Sequence, residues 1–275
     1  MSDQDIEAAA AGYKAVYDNA LSILQSRVWG GIQHLGLFED PAEPLLTAQM
    51  RANRVMAAAG DLRPGQTVIE TACGFGGTAR YLAGEHGVRV HATNIAETQF
   101  VEARELTERA GLSHLVDYRY ADYHDLPFPD SGFDVWWCQE ALLYSVQKRR
   151  VFEEAIRVLR PGGRLIMSDL LLNENVVGAE REAFTTTMKA PNMWSIGQWD
   201  ALFAGLPVKI LQRQDWRAQT VHTFRRVLDN LEQAQAELTA EVGEEMVAGS
   251  FERITLQYDA AKAGKLGWCF YALQR

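Results

Sequence analysis

Glu70 closes a short β-branched run and is followed at once by Thr71-Ala72-Cys73-Gly74-Phe75-Gly76-Gly77. A strand that runs into a glycine-rich turn and then a helix brings backbone N–H groups and a helix N-terminus close to a ligand, because glycine has no Cβ to hold it away. Gly74, Gly76 and Gly77 make such a turn, although Gly74-Phe75-Gly76-Gly77-Thr78-Ala79 also satisfies the dinucleotide pattern GxGxxG/A. Glu70 weighs between the two: a carboxylate there accepts hydrogen bonds from a ligand ammonium but repels a pyrophosphate. Asn94 ends the next β-branched run, where a dehydrogenase usually carries Asp or Glu for the ribose hydroxyls. An amide bonds hydroxyls as donor and as acceptor, so Asn94 leaves the choice open. Asp122, within Ala121-Asp122-Tyr123-His124-Asp125-Leu126-Pro127-Phe128, offers a carboxylate to an exocyclic amine, with Tyr123 beside it for stacking. That combination suits adenine.

The elements that must position these groups alternate strand and helix from about Arg63 to Leu172, the rhythm of parallel strands joined by crossover helices. Strands are expected at Thr67–Thr71, Val88–Thr93, Val116–Tyr120, Phe133–Cys138 and Arg164–Leu170, with helices at Thr78–His86, Glu97–Ala110 and Arg149–Leu159. Pro161-Gly162-Gly163 should end the last of these helices and turn into the fifth strand. Beyond it, Asn173–Trp199 is polar and helical with an aromatic interruption, and Val208–Gln212 offers a sixth strand. Val221, Phe224, Leu228, Leu231, Ala234 and Leu238 then recur at helical spacing, followed by a second helix with Met246, Phe251, Ile254 and Tyr258. Leu266–Leu273 closes the chain as an apolar strand, and Ile6, Tyr13, Tyr17, Leu21 and Leu24 make an amphipathic helix at its start. The first helices, the Asn173–Trp199 segment and the late helical pair are expected to meet as a lid over the core.

The length of 275 residues and the 47% hydrophobic content suit one large α/β unit. A formal charge of -9 with no clustered Lys and Arg disfavours nucleic acid as a partner. Cys73, Cys138 and Cys269 are odd in number and far apart, which points to a reducing cytoplasm rather than to zinc or disulfides. No apolar run is long enough for a signal or a bilayer span, so no membrane association is expected. Asp122, His124 and Asp125 are better explained by an adenine loop than by a metal, and metal-independent chemistry is expected. Nothing in the sequence reads out an oligomeric state.

In the order acidic strand end, glycine loop, ribose residue, Asp-plus-LPF run and PGG turn, Arg63–Leu172 resembles the class I S-adenosylmethionine (SAM)-dependent methyltransferases. The resemblance implies a Rossmann-like, seven-stranded, mostly parallel sheet with an antiparallel last strand and a helical lid. It divides the chain into an N-terminal helical lid segment (1–62), a SAM-binding core (63–172) and the remaining core strands with inserted lid helices (173–275). It also implies that Glu70 and the Ala72, Cys73 and Gly74 backbone, with Gly76 in the same turn, hold the methionine part of the cofactor. Asn94, Ile95 and Gln99 would flank the ribose and adenine, Asp122 and Tyr123 would bind the adenine, and Gln139 would touch cofactor or acceptor. Two positions depart from the family: Ala72 replaces its usual first glycine and Asn94 its usual acid.

On the acceptor side, Val28-Trp29-Gly30-Gly31-Ile32-Gln33-His34-Leu35-Gly36 resembles the WGG-x-x-H segment of the sarcosine/dimethylglycine N-methyltransferases, as do Asn94-Ile95, Gln139-Glu140-Ala141 and Gly267-Trp268. The chain departs from that branch at Ile32-Gln33, where acidic residues are usual, and at Tyr144, where histidine is usual. Methyl transfer from a sulfonium is an in-line displacement that needs alignment and exclusion of water rather than a covalent nucleophile. An amine acceptor calls for aromatic faces around the growing ammonium, and Tyr17, Trp29, Trp137, Tyr144 and Trp194 are the candidates. A hydroxyl acceptor calls for a general base, with His34 and Tyr144 first and His124 third. Trp136 and Trp137 alternate on one strand, so at least one belongs to the core. The expected function is methylation of a small molecule, at an amine nitrogen first, with an oxygen or carbon of a natural-product or isoprenoid acceptor as the alternative. A catalytically silent SAM-binding module and a nicotinamide dehydrogenase are the readings from other classes.

Overall fold

This computed structural model describes residue 11 and residues 20–275, and its seven strands form one sheet. They are β1 (Thr67–Thr71), β2 (Arg89–Asn94), β3 (Val116–Tyr120), β4 (Phe133–Gln139), β5 (Leu159–Leu172), β6 (Lys209–Asp215) and β7 (Leu266–Gln274), in the spatial order β3-β2-β1-β4-β5-β7-β6. The β1–β2, β1–β4, β2–β3 and β4–β5 pairs are parallel, and β7 is antiparallel to both neighbours. The mostly parallel sheet with an antiparallel last strand is therefore the observed one. The chain lays down β1, β2 and β3 in one direction and then returns to place β4 on the other side of β1. The crevice beyond the carboxyl ends of β1 and β4 is thus a topological switch point, where open α/β sheets take their ligands.

Both faces of the sheet are covered, as the near-continuous apolar runs of its central strands require. Val135, Trp137, Ile166 and Phe270 point into one core; Trp136, Cys138, Leu165, Met167 and Cys269 point into the other. Trp136 and Trp137 are both fully buried, so both belong to the core and neither to a pocket. The second core is roofed by α5 (Lys148–Val158) and α7 (Ile196–Ala204), through Phe152, Ala155, Trp199 and Phe203. In α5 the buried Val151, Phe152, Ala155 and Val158 follow the helical period, and α7 opens with a capping box between Ser195 and Gln198.

The first core is covered by α1 (Ala20–Trp29), α2 (Leu45–Gly60), α3 (Gly77–His86), α4 (Gln99–Arg109), α6 (Gly178–Thr187), α8 (Arg217–Val242) and α9 (Glu244–Lys262). The early and late helices meet here: Leu24, Val28, Phe184, Leu228, Leu231 and Ile254 share this core, and Asn230 Nδ2 donates to Val28 O at 2.8 Å. The expected positions Ile6, Tyr13 and Tyr17 lie outside the described residues. Most strand boundaries lie within three residues of expectation, and the start of the fifth strand differs by more. The fifth strand starts at Leu159, before the PGG turn, because Leu159 already pairs with Phe133 while Arg164 pairs with Val135. Arg160–Gly163 therefore bulge out within the strand, with Gly162 at φ 80°.

Candidate active site

β1 delivers Glu70 and Thr71, both buried, to the switch point. Burial pushes the Glu70 carboxyl up to about 8, opposed by the Arg80 charge, and its Oε2 has no hydrogen-bond partner among the described residues. A buried carboxylate oxygen without a partner is costly, and a cation arriving there removes that cost. The chain then turns through three left-handed residues, Ala72 (φ 58°), Gly74 (φ 54°) and Gly76 (φ 70°), before α3 starts at Gly77. Ala72 takes this conformation without glycine's freedom, at a cost of about 1–2 kcal/mol. Gly76 and Gly77 are required for space. A Cβ on Gly76 would lie 2.0 Å from the Tyr118 hydroxyl, and one on Gly77 would lie 2.2 Å from the carbonyl oxygen of Gly31.

That second approach brings the Trp29-to-Gly36 segment down over the loop. Gln49 of α2 pins the segment at both ends, Nε2 donating to Trp29 O at 3.1 Å and His34 O at 2.8 Å. Gly36 N donates to Thr223 Oγ1 of α8 at 3.1 Å. The cavity enclosed between segment and loop is lined by Gln33, His34, Ala72, Cys73, Gly74, Gln99, Gln139, Glu140 and Tyr144, among others. At its far wall Glu140, just past β4, holds a left-handed φ of 45°. Its Oε1 accepts from Ser168 Oγ and, at 2.9 Å, from Trp268 Nε1. Its Oε2 lies 2.8 Å from His34 Nδ1, close but not aligned as a hydrogen bond, and neither atom has another hydrogen-bond partner among the described residues. Backbone strain of this kind, fixed by several partners beside a cavity, is a mark of functional sites.

The structure thus brings together Ala72, Cys73, Gly74, Gln99, Gln139, His34 and Tyr144 on one cavity. Glu70, Gly76, Asn94, Ile95, Asp122 and Tyr123 occupy the strand ends and turns beside it. Asn94 is engaged by its neighbours: Nδ2 donates to Gln99 Oε1 at 2.6 Å and Oδ1 accepts from Ile95 N at 2.9 Å. It thereby orients Gln99, whose buried Nε2 stays without a partner among the described residues. Gln139 is held as firmly. Its Oε1 accepts from Trp137 Nε1 at 2.7 Å and Thr78 Oγ1 at 3.1 Å, and its Nε2 donates to Asn53 Oδ1 at 3.1 Å. The His124 ring and the backbone N–H of the same residue share Asp122 Oδ1, which keeps the Asp122 carboxyl below its usual value despite burial.

The aromatic candidates disperse. Tyr17 lies outside the described residues. Trp29 packs edge-on against Phe224, with ring centroids 6.1 Å apart, and Trp194 sits on the opposite face of the sheet, 5.0 Å from Trp199. Glu140 and Gln33 were missed as site residues. The first was visible only as part of the Gln139-Glu140-Ala141 resemblance. The second was visible only as a departure from an acidic residue.

Residues 69–167 match the methyltransferase domain family. The fungal "O-methyltransferase resE" of Aspergillus sclerotiorum is 30% identical over 98% of this chain and 99% of its own length. The chain belongs to the class I SAM-dependent methyltransferases. This methyltransferase is also 31% identical, over 88% of its length, to the "Glycine/sarcosine/dimethylglycine N-methyltransferase" of Actinopolyspora halophila, of which it spans 43%. A solved structure from Galdieria sulphuraria, a proposed sarcosine dimethylglycine methyltransferase, superposes with a TM-score of 0.86 at 25% identity, covering 94% of this chain and 98% of that one. The methyltransferase therefore acts on small molecules with SAM as its cofactor, and among the described residues no helix is long and apolar enough to cross a membrane. The residues present fit that cofactor. The unpartnered Glu70 oxygen meets the need of an amino-acid ammonium, and Gly74 leaves open space where a side chain would otherwise project.

Proposed function

We propose that this methyltransferase methylates a hydroxyl of a small molecule, with His34 as the general base and Glu140 as the group that steadies it. The observation that carries this is the His34 Nδ1–Glu140 Oε2 approach of 2.8 Å on the cavity wall, with Tyr144 on the same cavity. Glu70 takes the ammonium of SAM, Ala72, Cys73 and Gly74 offer backbone groups to its methionine part, with Gly76 completing the turn, Gln99 donates its free Nε2 toward the ribose side, and Asp122 with Tyr123 receives the adenine. Bound in this way, SAM supplies a methyl group on a positively charged sulfur, ready for in-line displacement. Because a carboxylate only accepts, the proton of a neutral His34 belongs on Nδ1, the nitrogen 2.8 Å from Glu140 Oε2, and a small turn of the ring aligns the two and leaves Nε2 as the acceptor. Nε2 takes the hydroxyl proton as the oxygen attacks, and Glu140 stabilises the imidazolium that results. The Gly30–Gly36 segment and the glycine loop, in contact at Gly31 and Gly77, keep water from the reacting atoms. Division of the chain at residues 62 and 172 into a lid segment, a cofactor core and inserted lid helices is part of the same proposal.

Amine methylation is the second reading. Two carboxylates near one cavity favour a cationic ammonium, and the Actinopolyspora relative carries an N-methyltransferase name. Against it, an amino-acid acceptor would bring its own carboxylate beside Glu140, and the aromatic candidates Trp29 and Trp194 do not converge on the cavity. Formation of S-adenosylhomocysteine (SAH) on a panel of phenols, alcohols, sarcosine and dimethylglycine separates the two. Turnover on hydroxyl acceptors, lost by about 100-fold or more in His34→Ala with SAM affinity unchanged, supports the first reading. Turnover on sarcosine or dimethylglycine that His34→Ala leaves intact supports the second.

A further inference from the structure

Three side chains outside the cavity form a chain of hydrogen bonds that no step above uses. His124 Nδ1 is 2.7 Å from Asp122 Oδ1, and His124 Nε2 is 2.8 Å from Ser145 Oγ. His124 and Ser145 are buried. The donors follow from the chemistry of the groups. Asp122 only accepts, so Nδ1 donates to it and Nε2 is left to accept from the Ser145 hydroxyl. Ser145 Oγ in turn accepts from Gln147 N at 3.2 Å. Each link has one donor and one acceptor.

The chain joins two loops that have different tasks. Asp122 and Tyr123 follow β3; Ser145 follows the short 3-10 turn Leu142–Tyr144, whose last residue faces the cavity. A second strut runs parallel to the first, with Tyr123 OH donating to Ala141 O at 3.3 Å. From the other side the 3-10 turn is clamped by the buried Lys148, whose Nζ donates to Leu142 O at 2.7 Å, Ser145 O at 3.1 Å and Asn192 O at 2.6 Å. Asn192 Nδ2 also donates to Ser145 O, at 2.9 Å. The turn is therefore held as a unit, and the link through His124 is its side-chain connection to the loop after β3, beside the Tyr123 strut to Ala141 O.

We propose that His124 and Ser145 are positioning residues that couple occupation of Asp122 by the cofactor to the seat of Tyr144 on the acceptor side. Asp122 gives its Oδ1 to His124 and keeps Oδ2 for the adenine amine, so a ligand that fixes the carboxylate also fixes the imidazole and, through it, Ser145 and the turn. Binding of the cofactor then assembles the acceptor side before the acceptor arrives. The inference rests on the reading of Asp122 as the adenine contact.

Hydrogen exchange of the full chain with and without SAH tests it without an acceptor. In the unaltered protein, saturating SAH should slow exchange at residues 121–125 and also, by about tenfold, at residues 141–147. Ser145→Ala should keep the protection at 121–125 and lose most of it at 141–147, and Ser145→Thr, which restores the hydroxyl, should recover it. His124→Gln, which cannot span both partners, should behave like Ser145→Ala. A purely structural role would speed exchange at 141–147 equally with and without SAH. Transmission unchanged in Ser145→Ala and His124→Gln, or that purely structural pattern, would overturn the coupling alone. Absence of protection at 121–125 in the unaltered protein would overturn the adenine reading and the coupling with it.

Discussion

Glu70 is a carboxylate held where water does not solvate it, and that position weakens the cofactor-free protein. Burial lifts its pKa from 4.5 to about 8, so between those values the folded protein holds a proton that the unfolded chain has released. Its contribution to stability is full below the unfolded value and is lost as the pH rises through the folded one. Glu70→Gln keeps the shape and removes the charge. It should raise the Tm of the cofactor-free protein, by more at about pH 8.5 than at about pH 5, with a difference on the order of a few kcal/mol, while weakening SAM binding by at least about tenfold. Calorimetry with and without SAM checks both halves, and a lower Tm at high pH or an unaltered affinity would remove Glu70 from the cofactor site. His34 is the opposite kind of residue, half-buried on the cavity wall and defined by its partner. Its substitution should affect turnover and leave cofactor affinity and Tm nearly unchanged.

The β1–glycine loop–α3 element was legible in the sequence because each part obeys a local rule. Thr67–Thr71 is β-branched but for Glu70, glycines occupy two of the three positive-φ positions of the loop, with Ala72 at the first, and an acid at the strand end has few purposes. Glu140 was not legible in the same way. Its partner His34 comes from a segment that precedes the sheet, and nothing near Glu140 in the sequence announces the pairing. The aromatics show the same limit from the other side. Their types were readable, but the direction of a ring depends on tertiary packing, which sends Trp29 to Phe224 and Trp194 to the α5–α7 face. The Trp136-Trp137 pair is buried on both sides because a central parallel strand has no open face. Contact between segment and loop is testable at Gly77. Gly77→Ala places a methyl 2.2 Å from the Gly31 carbonyl oxygen. The segment should be forced up, with about 1–3 kcal/mol of destabilisation, faster hydrogen exchange at residues 29–36 and lower turnover. Unaltered exchange there would show that segment and loop do not support each other.

At the scale of the whole molecule, the alternation of strands and helices is legible in the apolar runs and the class of fold in the family resemblance, whereas the strand order and the division into two cores are seen only in the structure. So is the boundary at the fifth strand. The PGG sequence reads as a turn, and only pairing with β4 shows that the strand has begun ahead of it. Binding of the cofactor should be visible in global stability. SAH at about 100 times its Kd should add about 2.7 kcal/mol and raise the Tm by several degrees, whereas NAD should not. Protection by NAD alone would return the glycine loop to the dinucleotide reading. The most direct test of the site is a crystal structure with SAH. The ammonium is predicted to lie within about 3 Å of Glu70, with the sulfur facing His34 and Tyr144 and the adenine at Asp122. SAH bound away from the glycine loop, or with its sulfur turned away from His34, would contradict the assignment.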